Sequence, residues 1–419
     1  MRLFTYIFFL LFLATCGGGG GGASSPTEPT SSIITQPHSV EIFETKTFNL
    51  VASSTLGEVM TFSIASQPTG GQVTINGSEA TYNPNSGFYG LDSFTITVTS
   101  ASSSEIIPIS VDVFDNPYKD YVISNVNPIT TTFENAELNG SYTNYVCDYN
   151  GIQRNFSVFI PNGINPYIIN ELPLFMYFHG SNGVSLPGNY IDTVSKIQKY
   201  NDKLIYVRPQ GLPGTDEESE ATGGATSYRG FNYYYPGWRE GNDDVGFTNA
   251  LINYIHNNYS ITHNKIVIGG FSTGGSFVPV MGSENELIDG VIQGAGMMHT
   301  YYTYTYDQPI KYHVWKGTED GYHPYGYDES YPTFWGINEG LTMFSDIKSC
   351  EDATTTTLPD LNNDNDVTEK FNIDCFDGSS FNGYKMYEWE HIEPWGLDNA
   401  NPAYFADINI FEMLSEILN

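Results

Sequence analysis

From about Ile33 to Asp115 apolar residues fall on every second position. Phe94, Ile96 and Val98 alternate with Thr95, Thr97 and Thr99, and Ile109, Val111 and Val113 repeat the pattern. That period predicts strands with one buried face. Gly70-Gly71, Asn76-Gly77 and "NPNSGFYGLDS" supply turns between them. No helical period intervenes, so residues 33–116 are predicted to form a small β-sandwich. After about Tyr121 the pattern changes to short apolar, strand-like runs: "LPLFMYF", "KLIYVRP", "KIVIGG", "DGVIQGAG", "KYHVWKG" and "YKMYEWE". Helical segments alternate with them. The clearest spans Asp244 to Tyr259 and carries Val245, Phe247, Leu251, Ile252 and Ile255; "NIFEMLSEIL" closes the chain with another. Strand–helix alternation over roughly 300 residues predicts an α/β domain, residues 117–419, with a mostly parallel sheet covered by helices on both faces.

The first 32 residues belong to neither unit. Arg2 precedes the apolar run Leu3 to Leu13, which is too short for a permanent membrane span. "Leu13-Ala14-Thr15-Cys16" then reads as a lipoprotein signal, residues 1–16, with Cys16 as the lipidated residue. Thr15 departs from the small residue usual there, and a plain secretory signal is the alternative. Residues 17–32, six glycines followed by "ASSPTEPTSS", read as a flexible linker. The expectation is an exported protein, lipid-anchored at the cell envelope or otherwise secreted, with no other membrane contact.

Composition narrows the choice of partners. The 419 residues hold 16 basic and 48 acidic side chains, a formal net charge of −32. A charge of that sign disfavours nucleic acid and anionic lipid surfaces. Export permits disulfides. With Cys16 assigned to lipid, Cys147, Cys350 and Cys375 remain, and three connectivities are possible on sequence alone; Cys350 and Cys375 flank one acidic loop and are the expected pair, which would leave Cys147 as a buried thiol.

The chemistry centres on "KIVIGGFSTGGS". Gly270-Phe271-Ser272-Thr273-Gly274 fits G-x-S-x-G, after a strand and before a helix-compatible stretch. Such a strand-to-helix turn pushes a serine hydroxyl above the sheet, and glycines allow it. The amide of Thr273 would then donate to an oxyanion. A serine needs a base and an orienting acid, and in this arrangement they follow in the order acid, then histidine, at later strand ends. Asp320 after "HVWKG" is the best-placed acid, ahead of Asp328 and Glu319. His391 after "YKMYEWE" is the best-placed base, whereas His313 lies inside an apolar strand and His323 is too close to Asp320. Upstream, "FMYFHGSNG" ends a strand in His179-Gly180-Ser181. The Ser181 amide is the expected second oxyanion donor, with His179 shaping the loop rather than moving protons. Asp243 and Asp244 are expected to cap the following helix. "DLNNDNDVTE" places Asp360, Asn362, Asp364 and Asp366 at alternate positions as calcium loops do, but lacks the glycine and distant glutamate of an EF-hand; it reads as a solvated acidic loop. No metal and no cofactor are expected.

Two resemblances follow from these pieces. "ATYNPNSGFYGLDSFTITVTS" resembles the cadherin-like or immunoglobulin-like repeats of bacterial surface proteins, which implies a spacer or adhesion module. From about Asn155 to the end, "RNFSVFIP", "LFMYFHG", "LIYVRPQG", "GWREGNDDVGF", "IVIGGFSTGG", "VWKGTED", "LPDLNNDNDVTEKFNIDC" and "YEWEHIEPWG" resemble the secreted polyhydroxybutyrate depolymerase and feruloyl esterase-like family of α/β-hydrolases. The resemblance implies an α/β-hydrolase fold and a Ser272-Asp320-His391 triad. "EWEHIEPWG" lacks the glycines usual around the family's histidine, and the loop after Gly211 is long and Tyr-rich; both differences fall where substrate should meet the site. Tyr233, Tyr234, Tyr235, Trp238 and Trp395 are candidates for an aromatic wall against the substrate, with His179 nearby.

The expected activity is a serine carboxylic ester hydrolase acting through an acyl-enzyme. Its substrate would be a polyester or the acyl or feruloyl groups of a polysaccharide. The alternatives are a serine peptidase with the same triad, or an adhesion protein that keeps a silent hydrolase fold.

Overall fold

The computed structural model describes residues 33–36, 39–42, 44–129, 140–164, 172–180, 204–213, 229–230, 243–259, 261–296, 298–300, 302–320, 334–359, 367–387 and 410–418. The alternating N-terminal segments pair as two facing sheets. One orders Ser39–Ile42, Ser104–Val113, Gly90–Thr99 and Thr61–Ser66; the other orders Lys46–Asn49, Glu79–Pro84 and Gly71–Asn76. Phe94, Ile96, Val98, Ile109, Val111 and Val113 all turn into the space between them, against Phe48, Val73 and Tyr82. The threonines between the apolar positions stay outside, as period two demands.

The second unit is built on one eleven-stranded sheet. Its strands are β1 (Ser124–Pro128), β2 (Gly140–Tyr149), β3 (Ile152–Pro161), β4 (Leu172–Phe178), β5 (Ile205–Pro209), β6 (Ile261–Phe271), β7 (Gly290–Gly294), β8 (Lys311–Gly317), β9 (Thr354–Thr357), β10 (Thr368–Asp374) and β11 (Ser380–Met386). They lie in the order β1-β2-β3-β5-β4-β6-β7-β8-β11-β10-β9. The centre from β5 to β11 is parallel; β2, β3 and the β10–β9 edge add antiparallel pairs.

Among the described residues four helices accompany it: α1 (Asp244–Asn258), α2 (Thr273–Glu284), α3 (Ile337–Lys348) and α4 (Ile410–Leu418). Every residue of β4 is buried, because helices cover both faces of a parallel sheet. Leu174, Met176 and Phe178 face α1, α2 and α3 through Leu251, Ile255, Phe277 and Phe344. Phe175 and Tyr177 point the other way and join Met413, Leu414 and Ile417 of α4.

Asp243 and Asp244, both expected as caps, have different roles. Asp243 accepts the Gly246 amide at 2.8 Å and caps α1. Asp244 turns inward and forms a buried ion pair with Arg154, whose guanidinium lies 4.0 Å from the centre of the Phe247 ring. A helix start needs one side-chain acceptor, and the second carboxylate is fixed by the buried cation instead.

The β-sandwich sits against the far end of α1. The Lys46 ammonium, buried, donates to the carbonyls of His256 at 3.0 Å and Tyr259 at 3.3 Å. Asn116 donates to the Asn253 side chain at 2.8 Å, and Asn253 donates back to the carbonyls of Tyr118 and Tyr121. Phe114 stacks on His263 with ring centres 3.5 Å apart. His263 lies at the start of β6, so the sandwich meets the sheet where its central parallel strands begin. Cys350 and Cys375 form a disulfide, as the sequence led us to expect. Cys147 is a buried thiol, and burial pushes its pKa up to about 12; it is inert as a nucleophile. No helix among the described residues is long and apolar enough to cross a membrane. Cys16 and the Asp360–Asp366 stretch lie outside the described residues.

Candidate active site

β6 ends at Phe271 and α2 begins at Thr273, so one residue makes the whole turn. That residue, Ser272, has φ 56° and ψ −117°, a region L-residues avoid. Its amide donates to the Gly294 carbonyl at the end of β7 (2.9 Å), and its carbonyl accepts the Ser276 amide (2.9 Å). The glycines around it are sterically required. A Cβ at Gly270 would lie 2.4 Å from the Gly274 carbonyl oxygen, one at Gly274 2.1 Å from that of Phe178, and one at Gly275 2.2 Å from that of Gly294. All three obstacles are backbone and cannot swing aside. The turn is therefore wedged between the ends of β4 and β7. Thr273 is the first residue of the twelve-residue α2, whose amide dipoles favour negative charge at that end.

Parallel neighbours bring the other candidates to the same edge. His179 and Gly180 follow β4, and a Cβ on Gly180 would lie 3.0 Å from that of Ser272. The loop after β4 thus passes directly against the serine. Asp320 stands three residues beyond β8 and is buried. Its turn is tied to β11 by the Thr318 amide donating to the Met386 carbonyl at 2.9 Å. Glu319, the weaker acid candidate, is exposed. Beneath Asp320, the Lys316 ammonium is almost fully buried; burial lowers its pKa to about 8, while Asp320 and Glu339 oppose the shift.

His313 is a core residue of β8, and burial takes its imidazole down to about 3. So weakly basic an imidazole is poorly suited to taking a serine proton. His256 and His263 lie at the opposite edge, beside the sandwich. His179 has its Nδ1 2.7 Å from the Gly180 carbonyl and its Nε2 3.0 Å from the Gly211 amide. Ser272, Thr273, His179 and Asp320 therefore share one edge of the sheet. His391, Ser181, Tyr235, Trp238 and Trp395 lie outside the described residues, as do Asp328 and His323; β11, the strand that leads toward His391, ends at Met386 beside Gly317.

Three contributors escaped the sequence reading. Gly294 receives the Ser272 amide, and a Cβ there would lie 1.9 Å from the Trp315 ring. Trp315, fully buried, thus sets how β7 approaches the turn. Gln210 places its side-chain nitrogen 2.9 Å from His179 Nε2. The glycine of "QGAG" and the polar ending of "YVRPQG" were visible, but neither spacing records its partner.

Residues 27–113 match the family model of the bacterial Ig domain. The sandwich is accordingly called the Ig domain below. No curated protein sequence matches the chain. Among solved structures, one of two fungal esterases from Rhizomucor miehei is similar at 10% identity, over 70% of this chain and 86% of that one, with a TM-score of 0.42. An S-formylglutathione hydrolase from Agrobacterium tumefaciens is similar at 11% identity, over 70% and 100%, with a TM-score of 0.41. Acetyl xylan esterase 1 from a Thermoanaerobacterium species is similar at 11% identity, over 49% and 80%, with a TM-score of 0.34.

Proposed function

We propose that residues 117–419 form an α/β-hydrolase that cleaves carboxylic esters through a serine nucleophile. The observation that carries this reading is the conformation of Ser272. A non-glycine residue held at positive φ by three sterically obligatory glycines is a costly arrangement. Presenting the hydroxyl is the purpose we infer for it. The strand order supports the fold, with β4 and β5 exchanged and the serine at the end of the strand after them.

In the proposed reaction Ser272 Oγ attacks the ester carbonyl while His391 takes its proton. Asp320 holds the imidazole tautomer and stabilises the cation. The amides of Thr273 and Ser181 receive the developing oxyanion. The imidazolium returns its proton to the leaving alkoxide, and an alcohol departs. Water, deprotonated by the same histidine, then releases the acid and restores the serine. The residues named need no cofactor for these steps. The substrate proposed is a polyester or an acylated or feruloylated polysaccharide, gripped by Tyr235, Trp238 and Trp395. Lipid on Cys16, at the end of the signal segment 1–16, and the linker 17–32 would hold the enzyme at the envelope.

The test is hydrolysis of a short p-nitrophenyl ester by the wild-type chain and by Ser272→Ala. Loss of about 10⁴-fold or more in kcat is expected. Equal turnover in both would defeat the reading and leave an Ig-linked binding protein. Cleavage of peptides but not esters would make it a peptidase. Polyhydroxybutyrate film, aromatic polyester and feruloylated xylan, offered in parallel, then rank the substrate classes.

A further inference from the structure

We propose that Gln210 is a positioning residue that acts through His179: together with the Gly211 amide it locks that imidazole as the Nδ1–H tautomer, so that His179 fixes the Gly180 carbonyl, at the base of the loop proposed to supply the second oxyanion donor. This rests on the ester-hydrolase reading of the site.

The protons are assigned by the partners. A backbone amide can only donate, and that of Gly211 points at His179 Nε2 from 3.0 Å. Nε2 must therefore carry a lone pair. The Gln210 carboxamide nitrogen, 2.9 Å away, is a second donor to the same atom. Its remaining proton reaches the Gly211 carbonyl at 3.2 Å, which fixes the orientation of the amide as well. The imidazole keeps one proton, on Nδ1, and donates it to the Gly180 carbonyl at 2.7 Å.

A peptide group is planar and normally trans. Fixing the Gly180 carbonyl therefore restricts the plane of the peptide group it belongs to, the group expected to carry the proposed oxyanion donor. His179 and Gln210 are both buried, so water does not compete for these bonds. Gln210 is itself held, because its backbone amide donates to the Asn155 carbonyl at 2.9 Å. The relay thus runs from β3 and β5, two rigid strands, across the imidazole to a loop that lies against Ser272. A donor that is aimed beforehand needs no reorganisation when charge develops.

The test uses the full chain labelled with ¹⁵N-histidine. Two-bond ¹H–¹⁵N correlation distinguishes the two tautomers, and the resonance missing from His179→Asn identifies residue 179. The expected result is an Nδ1–H imidazole in the wild type. In Gln210→Leu, kcat for the p-nitrophenyl ester should fall by about tenfold or more with KM within about twofold, since only the transition state uses the aimed amide. An Nε2–H proton on His179, or an unchanged kcat in Gln210→Leu, overturns the proposal. Should Gln210→Leu not fold, the wild-type tautomer decides. Full activity in Ser272→Ala would instead sink the hydrolase reading while leaving the tautomer measurement intact, so the two failures are distinct.

Discussion

Ser272 illustrates how a single side chain can cost the fold in a place where the proposed chemistry needs it. At φ 56° and ψ −117° it occupies a region where glycine is at ease and other residues are not. Ser272→Gly should therefore abolish turnover yet raise stability by about 1 kcal/mol, seen as a higher urea midpoint at unchanged slope. Lys316 offers a second test at this scale. Burial lowers its pKa to about 8 from an ordinary value of 10.5. Between those values the unfolded chain holds a proton that the folded protein has released, so stability rises as pH climbs from 8 to 10.5. Relative to Lys316→Met, the wild type should gain about 3 kcal/mol across that window. A flat difference in denaturant titrations would show the ammonium to be better solvated than its burial indicates. The serine was legible in the sequence because the glycines of its turn, Gly270, Gly274 and Gly275, lie within six consecutive positions. The lysine was not, because nothing in "HVWKG" marks which way an alternating side chain points.

Elements differ in how openly they announce themselves. β4 is readable as an uninterrupted apolar run, and β5 as one up to Arg208, because both faces are covered. α2 is not: "TGGSFVPVMGSE" holds three glycines and Pro279, a composition that disfavours an isolated helix. It forms because it is packed among β4, β6 and β7, and because its glycines permit that approach. Gly274→Ala sets a methyl against the Phe178 carbonyl. It should cost roughly 2–3 kcal/mol of stability and remove most of the ester turnover. Denaturant titration alongside an activity assay separates this from Ser272→Gly, which loses activity while gaining stability. The aspartates at the start of α1 show the limit of local reasoning. Both have cap chemistry, and the choice between them was made by Arg154, which lies 90 positions from Asp244 along the chain.

In the assembled protein the Ig domain is docked rather than merely strung on. Lys46 closes the C-terminal end of α1, where free carbonyls and the helix dipole favour a cation. Lys46→Met should cost about 2 kcal/mol, because two buried carbonyls lose a charged donor. Limited proteolysis between the Ig domain and β1 should accelerate in the same variant. An unchanged melting profile and cleavage rate would mean that the two units are energetically independent. The docking edge lies at the start of β6 and Ser272 at its end, eleven residues away. Ester turnover at low temperature is accordingly expected to survive Lys46→Met, with the loss appearing as heat sensitivity.

The strand periods, the α1 helix and the glycine-bounded turn at Ser272 could be read from residues a few positions apart, since periodicity and glycine sterics are local properties. Partnerships across the chain could not. Gln210 meets His179 over 31 positions and Lys46 meets the His256 carbonyl over 210. A buried hydrogen bond is selected by which groups are left without water once the layers close, and that is known only after the chain has folded.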